Sequence, residues 1–229
     1  MLNALFDALG LFPCPGCGGS GGGCHNFCPA CLARFRRFTD PRCPGCGGEL
    51  DGMLAQCSKC LAEGLHPWIY AASCFAYEGF GKDMILKFKF GDSPELARPF
   101  GHMAAEILRQ CGEKADFLCA IPLHCTRYYR RTFNQSELFA RIAAKELRLP
   151  FRQVLYRTRP TPHQAELPRK ERLNNLKGAF ALYPFADVRK QHVWIADDVF
   201  TTGSTLHEAA KVLLESGAAS VRVLTLARA

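Results

Sequence analysis

The chain of 229 residues has room for one medium-sized domain and a small second module. Apolar residues make up 48% of the chain and charged residues 22%, which excludes an intrinsically disordered protein as the default. No run of about eighteen apolar residues occurs, and residues 1–10 lack the basic start and small-residue cleavage site of a signal peptide. We therefore expect a cytoplasmic protein without a transmembrane segment.

The positive charge is concentrated in one segment. The net charge is +8, and residues 127–172 contain twelve Lys and Arg residues against four Asp and Glu residues, so this segment accounts for the whole excess. A basic segment suits a polyphosphate, a nucleic-acid backbone or a solvated face, and charge alone does not choose among the three.

The first third of the chain combines a helical pattern with many cysteines. Leu2, Leu5, Phe6 and Leu9 have helical spacing and predict a short amphipathic helix, packed on the protein itself or lying on a membrane or partner. In a reducing cytoplasm, Cys-x-x-Cys pairs bind metal rather than form disulfides, and four thiolates complete a structural zinc site. The sequence therefore predicts two structural zinc ions and no catalytic zinc. The four pairs are Cys14/Cys17, Cys28/Cys31, Cys43/Cys46 and Cys57/Cys60.

An internal repeat favours one grouping of these cysteines. Cys14-Pro-Gly-Cys-Gly-Gly recurs as Cys43-Pro-Gly-Cys-Gly-Gly, and Cys28-Pro-Ala-Cys-Leu recurs as Cys57-Ser-Lys-Cys-Leu, both at an offset of 29. If each copy is one unit, the pairs that start at Cys14 and Cys28 share one zinc and the other two pairs share the second. A cross-braced arrangement is the alternative. Each Cys-x-x-Cys pair forms a tight turn, here called a knuckle. Gly18 and Gly47 directly follow the first knuckle of each copy, where a positive φ would point backbone N–H groups at sulfur. Cys24 and His25 are not repeated, and we expect them to be spare.

Beyond a junction at residues 63–67, apolar strands alternate with helical patterns. The predicted strands cover residues 117–123, 193–196 and 221–226, and the predicted helices cover residues 136–147 and 206–215. This alternation predicts an α/β fold with a mostly parallel sheet flanked by helices, whose functional site lies beyond the carboxyl ends of the strands. Lys87 and Lys89 flank Phe88 and are expected on one face of a strand, near an acceptor or nucleic acid. The expected domains are residues 1–66, with the helix and double zinc ribbon, and residues 67–229.

Residues 193–206, VWIADDVFTTGSTL, combine a strand, two acids and a hydroxyl-rich turn. Asp197 and Asp198 suit hydrogen bonds from the hydroxyls of a sugar. The turn opens a helix, whose free N–H groups and positive dipole end form a phosphate cradle together with the hydroxyls. An Asp-rich turn with an ordinary N-cap is the alternative for either half alone, but the combination favours a ligand site. The members of the turn are Thr201, Thr202, Gly203, Ser204 and Thr205.

This stretch closely resembles the ribose-phosphate signature of type I phosphoribosyltransferases, which implies that fold for residues 67–229. By this resemblance, Asp197 and Asp198 are catalytic residues that contact the ribose hydroxyls, and the turn holds the 5-phosphate of 5-phosphoribosyl 1-diphosphate, which binds with magnesium. The double zinc ribbon, followed by Tyr77-Glu-Gly, Leu86-Lys-Phe-Lys-Phe-Gly-Asp and Phe133-Asn-Gln-Ser-Glu-Leu, further resembles the ComF family of competence proteins.

The resemblance also places residues around the pocket. Arg127, Arg130 and Arg131 follow the strand at Ile121-Pro-Leu, where this fold has the loop that meets the pyrophosphate, although an exposed turn is the alternative. Residues 158–170 are expected to form a mobile loop that closes over the pocket, with Gln164 and Arg172 near the ligand. Thr132 departs from the family, which has Gly before Phe-Asn-Gln.

Two functions follow from the resemblance. The first is a phosphoribosyltransferase of unknown acceptor that acts in DNA uptake during natural transformation. The alternative is a non-catalytic module that senses a phosphoribosyl ligand and binds single-stranded DNA through the basic segment and the zinc ribbons, together with other competence proteins.

Overall fold

The computed structural model describes residues 13–19, 26–50, 54–64, 66–112, 114–123, 133–160 and 176–229. The described helices are α1 Pro29–Leu32, α2 Ser58–Glu63, α3 Gly79–Phe90, α4 Ala97–Cys111, α5 Gln135–Leu147 and α6 Ser204–Glu215, with a 3-10 turn at Pro94–Leu96. The described strands are β1 Tyr70–Ala76, β2 Phe117–Ala120, β3 Leu155–Arg157, β4 Phe180–Leu182, β5 His192–Phe200 and β6 Ser220–Arg228.

Four of these strands form a parallel sheet in the order β1-β6-β5-β2, and β3 and β4 form a separate antiparallel pair. Parallel strands need crossover connections that cover both faces of the sheet, so their side chains are buried on both sides. β2 shows this alternation: Leu118 and Ala120 belong to one core, and Phe117 and Cys119 belong to the other. The predicted α/β fold with a mostly parallel sheet is confirmed.

Each face of the sheet has its own layer. The first layer contains α3, α4 and α5, which pack against residues such as Trp194 and Ala196 of β5. The second layer contains α6 and the β3–β4 pair, which pack against Val193 and Ile195 of the same strand. β5 is therefore one of the two central strands, and both layers can support a site on it.

The prediction of a strand around Phe88 was wrong, because these residues lie in α3. The sequence Leu86-Lys-Phe-Lys-Phe alternates like a strand, but the longer window does not. Phe80, Met84, Ile85 and Phe88 are buried with the spacing of one helix face. Since five residues are too few to separate the two periods, the wider pattern decided the structure.

Both cysteine-rich copies pack directly on the α/β core. Cys14, Cys28 and Cys31 belong to the first layer's core, whereas Cys43, Cys46 and Cys60 belong to the second layer's core. The boundary between residues 66 and 67 stays a prediction. The predicted helix near the N-terminus, Cys24 and His25 lie outside the described residues.

Candidate functional site

Asp197 and Asp198 lie in the second half of β5, past the end of the neighbouring strand β2. β5 pairs with β2 only as far as Ala196, whereas its pairing with β6 continues to Phe200. The strand therefore runs on through both acids, and the prediction that it ends before them was wrong. Both side chains are half-buried at the carboxyl end of the sheet, where the predicted ligand site lies.

Asp197 is held by two hydrogen bonds. The hydroxyl of Ser136 donates to Asp197 Oδ1 over 3.1 Å, and the backbone N–H of Asp198 donates to the same oxygen over 2.9 Å. Burial, and then the negative charge of Asp198, raise the pKa of Asp197 to about 7, although these hydrogen bonds and the charge of Lys89 act in the opposite direction. Near neutral pH this carboxyl group is thus close to the midpoint of its titration.

Asp198 forms an ion pair with the last turn of α3. Lys89 Nζ lies 2.9 Å from Asp198 Oδ1, and the two side chains are only 18% and 16% exposed. Shielding from water makes such a pair stronger than one on an open surface. Lys87 does not share this position, because its ammonium group donates to the carbonyl oxygen of Pro15 over 3.0 Å. The expectation that the two lysines share one face was therefore wrong.

Three buried polar residues at the start of α5 connect the acids to the rest of the first layer. Asn134 caps the helix by accepting from the N–H of Ser136, and its amide donates to the carbonyl of Ile121, directly after β2. The amide of Gln135 donates to the carbonyls of Phe88 and Lys89 over 3.3 and 3.4 Å. Asn134, Gln135 and Ser136 thus hold β2, α3 and Asp197 in one network.

One part of this network has a signal in the sequence. Asn at the start of a predicted helix is an N-cap pattern, and it fixes where α5 begins. The resemblance had picked out Phe133-Asn-Gln-Ser, but residue patterns did not indicate that Ser136 meets Asp197 or that Lys89 meets Asp198. Both contacts join residues far apart in the chain.

The hydroxyl-rich turn, hereafter the phosphate loop (residues 201–205), follows β5 and begins α6 as predicted. Gly203 has a φ of +69°, in the left-handed region that favours glycine, and the N–H of His207 donates to its carbonyl over 2.7 Å. The hydroxyls of Thr202 and Ser204 lie 2.9 Å apart. The first turn of α6 leaves backbone N–H groups without acceptors inside the helix. Thr201 is exposed, and Thr205 is half-buried.

The remaining predicted contacts to the ligand lie outside the described residues. They are Arg127, Arg130, Arg131, Gln164 and Arg172, and Thr132, the departure from the family pattern, also lies outside them. The predicted mobile loop, residues 158–170, is described only at residues 158–160, and its start is connected to α6 through Gly178. The hydroxyl of Thr158 donates to Gly178 O over 2.7 Å, and the N–H of Gly178 donates to Glu208 of α6 over 2.7 Å.

The eight paired cysteines form two groups, and the predicted sequential pairing is the one observed. The first cysteine group is Cys14, Cys17, Cys28 and Cys31, and the second cysteine group is Cys43, Cys46, Cys57 and Cys60. Within each group the sulfur atoms all lie within 4.8 Å of one another.

The spacing of the thiols fits a tetrahedral ion. Sγ of Cys17 is 3.8 Å from that of Cys28, and Sγ of Cys46 is 3.7 Å from that of Cys57. Tetrahedral zinc with bonds of about 2.3 Å to sulfur places its ligands about 3.8 Å apart. Both groups can therefore hold a metal ion such as zinc.

Backbone geometry supports the same arrangement, with one correction. The N–H of Cys28 donates to Cys14 Sγ, and the N–H of Cys57 donates to Cys43 Sγ. Gly18 and Gly47 have the predicted positive φ, but their N–H groups donate to the carbonyl oxygens of Cys14 and Cys43 instead of to sulfur. The glycines close the turn of each knuckle, and the N–H of Gly48, directly after Gly47, is the one that donates to Cys46 Sγ.

Among the described residues, no helix is both long and apolar enough to cross a membrane.

Comparison with known proteins first gives the class of the domain. Residues 89–229 match the family model described as a phosphoribosyl transferase domain, and this range includes Lys89, the acidic pair and the phosphate loop. Among solved structures, the allosteric regulatory enzyme of purine biosynthesis is similar at 16% identity, with a TM-score of 0.44 over 62% of this chain and 30% of that chain.

Curated relatives then narrow the family. The chain is 35% identical to the DNA utilization protein YhgH of Escherichia coli over 168 residues, which cover 71% of this chain and 73% of that protein. It is 30% identical to Competence protein F of Haemophilus influenzae over 158 residues, 64% of this chain and 67% of the relative. The chain belongs to the ComF family of proteins with a phosphoribosyltransferase domain.

Proposed function

We propose that the site at the carboxyl end of β5 binds 5-phosphoribosyl 1-diphosphate. The observation that carries this proposal is the position of two half-buried acids near the end of β5, followed after two residues by a loop with a left-handed glycine and a helix start. Carboxylates accept hydrogen bonds from sugar hydroxyls, whereas N–H groups at a helix start bind phosphate. The two halves of the site therefore suit the two ends of a ribose 5-phosphate.

In this proposal, Asp197 and Asp198 accept hydrogen bonds from the ribose hydroxyls. The 5-phosphate binds to the phosphate loop, through backbone N–H groups and the hydroxyls of Thr201, Thr202, Ser204 and Thr205. Arg127, Arg130 and Arg131 meet the pyrophosphate as bidentate donors. Magnesium, bound largely by the diphosphate, supplies further neutralisation of the leaving group's charge. Each cysteine group holds one structural zinc ion.

The reaction proposed for this site is transfer of the phosphoribosyl group to an acceptor. A nucleophile attacks the ribose carbon that carries pyrophosphate, the carbon–oxygen bond to pyrophosphate breaks, and pyrophosphate leaves with the bonding electrons. The protein's share of catalysis is to hold the sugar by its hydroxyls and 5-phosphate while the leaving group departs. Pyrophosphate release in the presence of protein, magnesium and candidate bases tests this step. Binding without release across all bases favours the non-catalytic alternative.

Calorimetric titration of 5-phosphoribosyl 1-diphosphate with magnesium tests the binding proposal. We expect saturable binding by the natural protein and a loss of affinity of at least about 100-fold in an Asp197→Asn, Asp198→Asn double variant, because charged hydrogen-bond partners are worth about 1.5–3 kcal/mol each. Asp83→Asn is the control, since Asp83 is an exposed acid on the helix that carries Lys89. Unchanged affinity in the double variant would contradict the assignment.

The pH dependence of binding provides a second test. The pKa of Asp197 is raised from 3.8 to about 7, chiefly by burial, so the ligand-free protein holds this proton up to near-neutral pH. Because the ribose hydroxyls need an ionised acceptor, we expect affinity to rise from pH 6 to pH 8 and to level off above. Stability of the ligand-free protein should change in the opposite direction, since a raised carboxyl pKa lowers stability as pH rises from about 4 to about 7. Asp197→Asn should remove both dependences.

We also propose that this activity serves DNA handling in the cytoplasm. The proposal rests on the names of the relatives, a DNA utilization protein and a competence protein. Single-stranded DNA and other competence proteins are its expected partners. Transformation of a naturally competent host that depends on this protein tests the link: the Asp197→Asn, Asp198→Asn variant should fail to restore transformation, whereas the Asp83→Asn control should restore it.

A further inference from the structure

We propose that Trp68 is a positioning residue that fixes the phosphate loop on the second cysteine group. This inference rests on the proposed function in treating residues 201–205 as the phosphate subsite. It assigns the two cysteine groups different roles: the second supports the ligand site, and the first does not.

One side of Trp68 is attached to the knuckle of the second cysteine group. Its indole N–H donates to the carbonyl oxygen of Gly45 over 2.9 Å, and Gly45 lies between Cys43 and Cys46. The ring of His66 stacks on the indole with a centroid distance of 4.4 Å and an angle of 8°. Trp68 is only 5% exposed, so this hydrogen bond is shielded from competing water.

The other side of Trp68 lies against the phosphate loop. A Cβ atom placed on Gly203 would be 3.2 Å from Trp68 Cη2 and 2.8 Å from Phe200 Cζ, so the two rings close off this side of the loop. The indole also meets Phe200 and His207 edge-on, at centroid distances of 6.0 and 6.5 Å. These two residues flank the phosphate loop in the chain. Trp68 thus contacts the residues before, within and after the loop.

Arg228 forms a second link between the same two features. Its Nε donates to Cys46 Sγ over 3.3 Å, and its guanidinium carbon lies 5.9 Å from the ring centroid of Phe200. Phe200 and Arg228 are also paired across β5 and β6. The first cysteine group has no such link among the described residues: its own cluster joins the first layer, around rings such as Phe27 and Phe80.

These contacts order the phosphate loop before the ligand binds. A glycine that few neighbouring side chains contact can sample many backbone conformations. Ligand binding would then have to remove this conformational freedom. Two rings pressed against Gly203 restrict the loop in advance, and the metal knuckle holds the larger ring in place. Loss of this support should therefore weaken ligand binding even though Trp68 itself touches no ligand group in the proposal.

Hydrogen–deuterium exchange tests the positioning role without any ligand. We expect amides in peptides spanning residues 200–207 to exchange about tenfold faster in Trp68→Leu than in the natural protein, and by a smaller factor in Trp68→Phe, which keeps a ring but loses the bond to Gly45. Phe80→Leu is the matched control. Phe80 lies against Gly16, the repeat equivalent of Gly45, so this variant disturbs the first cysteine group instead. Unchanged exchange in both Trp68 variants would overturn the proposal.

Ligand binding and fluorescence complete the test. The affinity for 5-phosphoribosyl 1-diphosphate with magnesium should fall about tenfold in Trp68→Leu, with the metal content unchanged, and should be retained in Phe80→Leu. Since the chain has two tryptophans, Trp194→Phe leaves Trp68 as the only tryptophan, and the tryptophan emission should change on saturation with ligand. If the natural protein binds no such ligand but loop exchange still depends on Trp68, the proposed function fails and the positioning role stands. If the natural protein binds the ligand, but neither its affinity nor the exchange of the loop amides depends on Trp68, only the positioning role fails.

Discussion

The two cysteine groups come from one repeated sequence, yet they pack in opposite layers of the protein. The repeat fixes the same local geometry in both copies, with a Cys-Pro-Gly-Cys knuckle, a following Gly of positive φ and a second knuckle that donates a backbone hydrogen bond to sulfur. The surroundings differ because the residues that flank the repeat differ. The spacing of the cysteines therefore determines the local metal site, whereas residues outside the repeated motif determine the layer against which each group packs.

The first cysteine group lies against helices. Phe27, next to Cys28, contacts Phe80 of α3 and Phe100 of α4 with ring centroids 6.1 and 5.8 Å apart. Its Cys17 is exposed. Together with the hydrogen bond from Lys87 of α3 to Pro15, these ring contacts give this group the character of a structural attachment to α3 and α4.

The second cysteine group lies against the middle of β1 and the end of β6. Gly47 is so close to β1 that an added Cβ would lie 2.8 Å from the backbone nitrogen of Ser73. The Ser73 hydroxyl lies 2.7 Å from that of Thr225 in β6, and Arg228 at the end of β6 donates to Cys46 Sγ. This group is therefore continuous with the strands that carry the candidate ligand site.

Removal of one metal at a time tests the comparison most strongly. Two double variants are equivalent in the repeat: Cys14→Ser, Cys17→Ser in the first cysteine group and Cys43→Ser, Cys46→Ser in the second. Each double variant should reduce the metal content from two ions to one, because it removes half of one ligand set. Each loses a binding free energy on the order of 10 kcal/mol, which unfolds the affected ribbon. Only the second double variant should also lose affinity for 5-phosphoribosyl 1-diphosphate. Metal analysis and calorimetry measure both effects, and equal affinity loss in the two double variants would remove the proposed difference in roles.

Substitution of the two knuckle glycines sharpens the comparison. Gly18 and Gly47 share a positive φ, but the Cβ of an alanine meets nothing within 4 Å at Gly18 and the backbone of β1 at Gly47. Gly18→Ala should therefore cost about 1 kcal/mol from backbone strain alone, and Gly47→Ala about 2–4 kcal/mol because packing must also shift. Denaturant unfolding of both variants measures the difference. A smaller cost at Gly47 than at Gly18 would mean that the second ribbon is not packed tightly on β1.

The hydrogen bond from Arg228 to Cys46 should give the smallest effect. A donor that holds a metal ligand typically contributes about tenfold or more to metal affinity. Arg228→Gln should thus release metal from the second cysteine group about tenfold faster to a chelating dye, and the Cys14→Ser, Cys17→Ser background isolates that group. Arg189→Gln is the control, since Arg189 is exposed and pairs with Asp187 away from the cysteines. Equal release rates in Arg228→Gln and the control would show that this contact does not stabilise the site.

Much of the fold could be predicted because periodicity and spacing are local properties. Buried strands around residues 193–196 and 221–226 and the helix after the phosphate loop follow from patterns within a few residues of one another, and the grouping of the cysteines follows from the repeat. The short alternation at Lys87 and Lys89 predicted a strand, and this prediction was wrong because the longer pattern of α3 is that of a helix face. The length of β5 also escaped prediction, since its last residues are in strand conformation through pairing with β6.

The sequence by itself predicted the four Cys-x-x-Cys pairs, the buried strands and the two acids shortly before a hydroxyl-rich turn, because each of these patterns is written in nearby positions of the chain. Only the tertiary structure decided which partners reach these groups. Ser136 meets Asp197 across 61 positions, and Arg228 meets Cys46 across 182. Such contacts arise when strands and helices pack in three dimensions, and no spacing in the sequence records them. The same packing placed Trp68 between the second cysteine group and the phosphate loop.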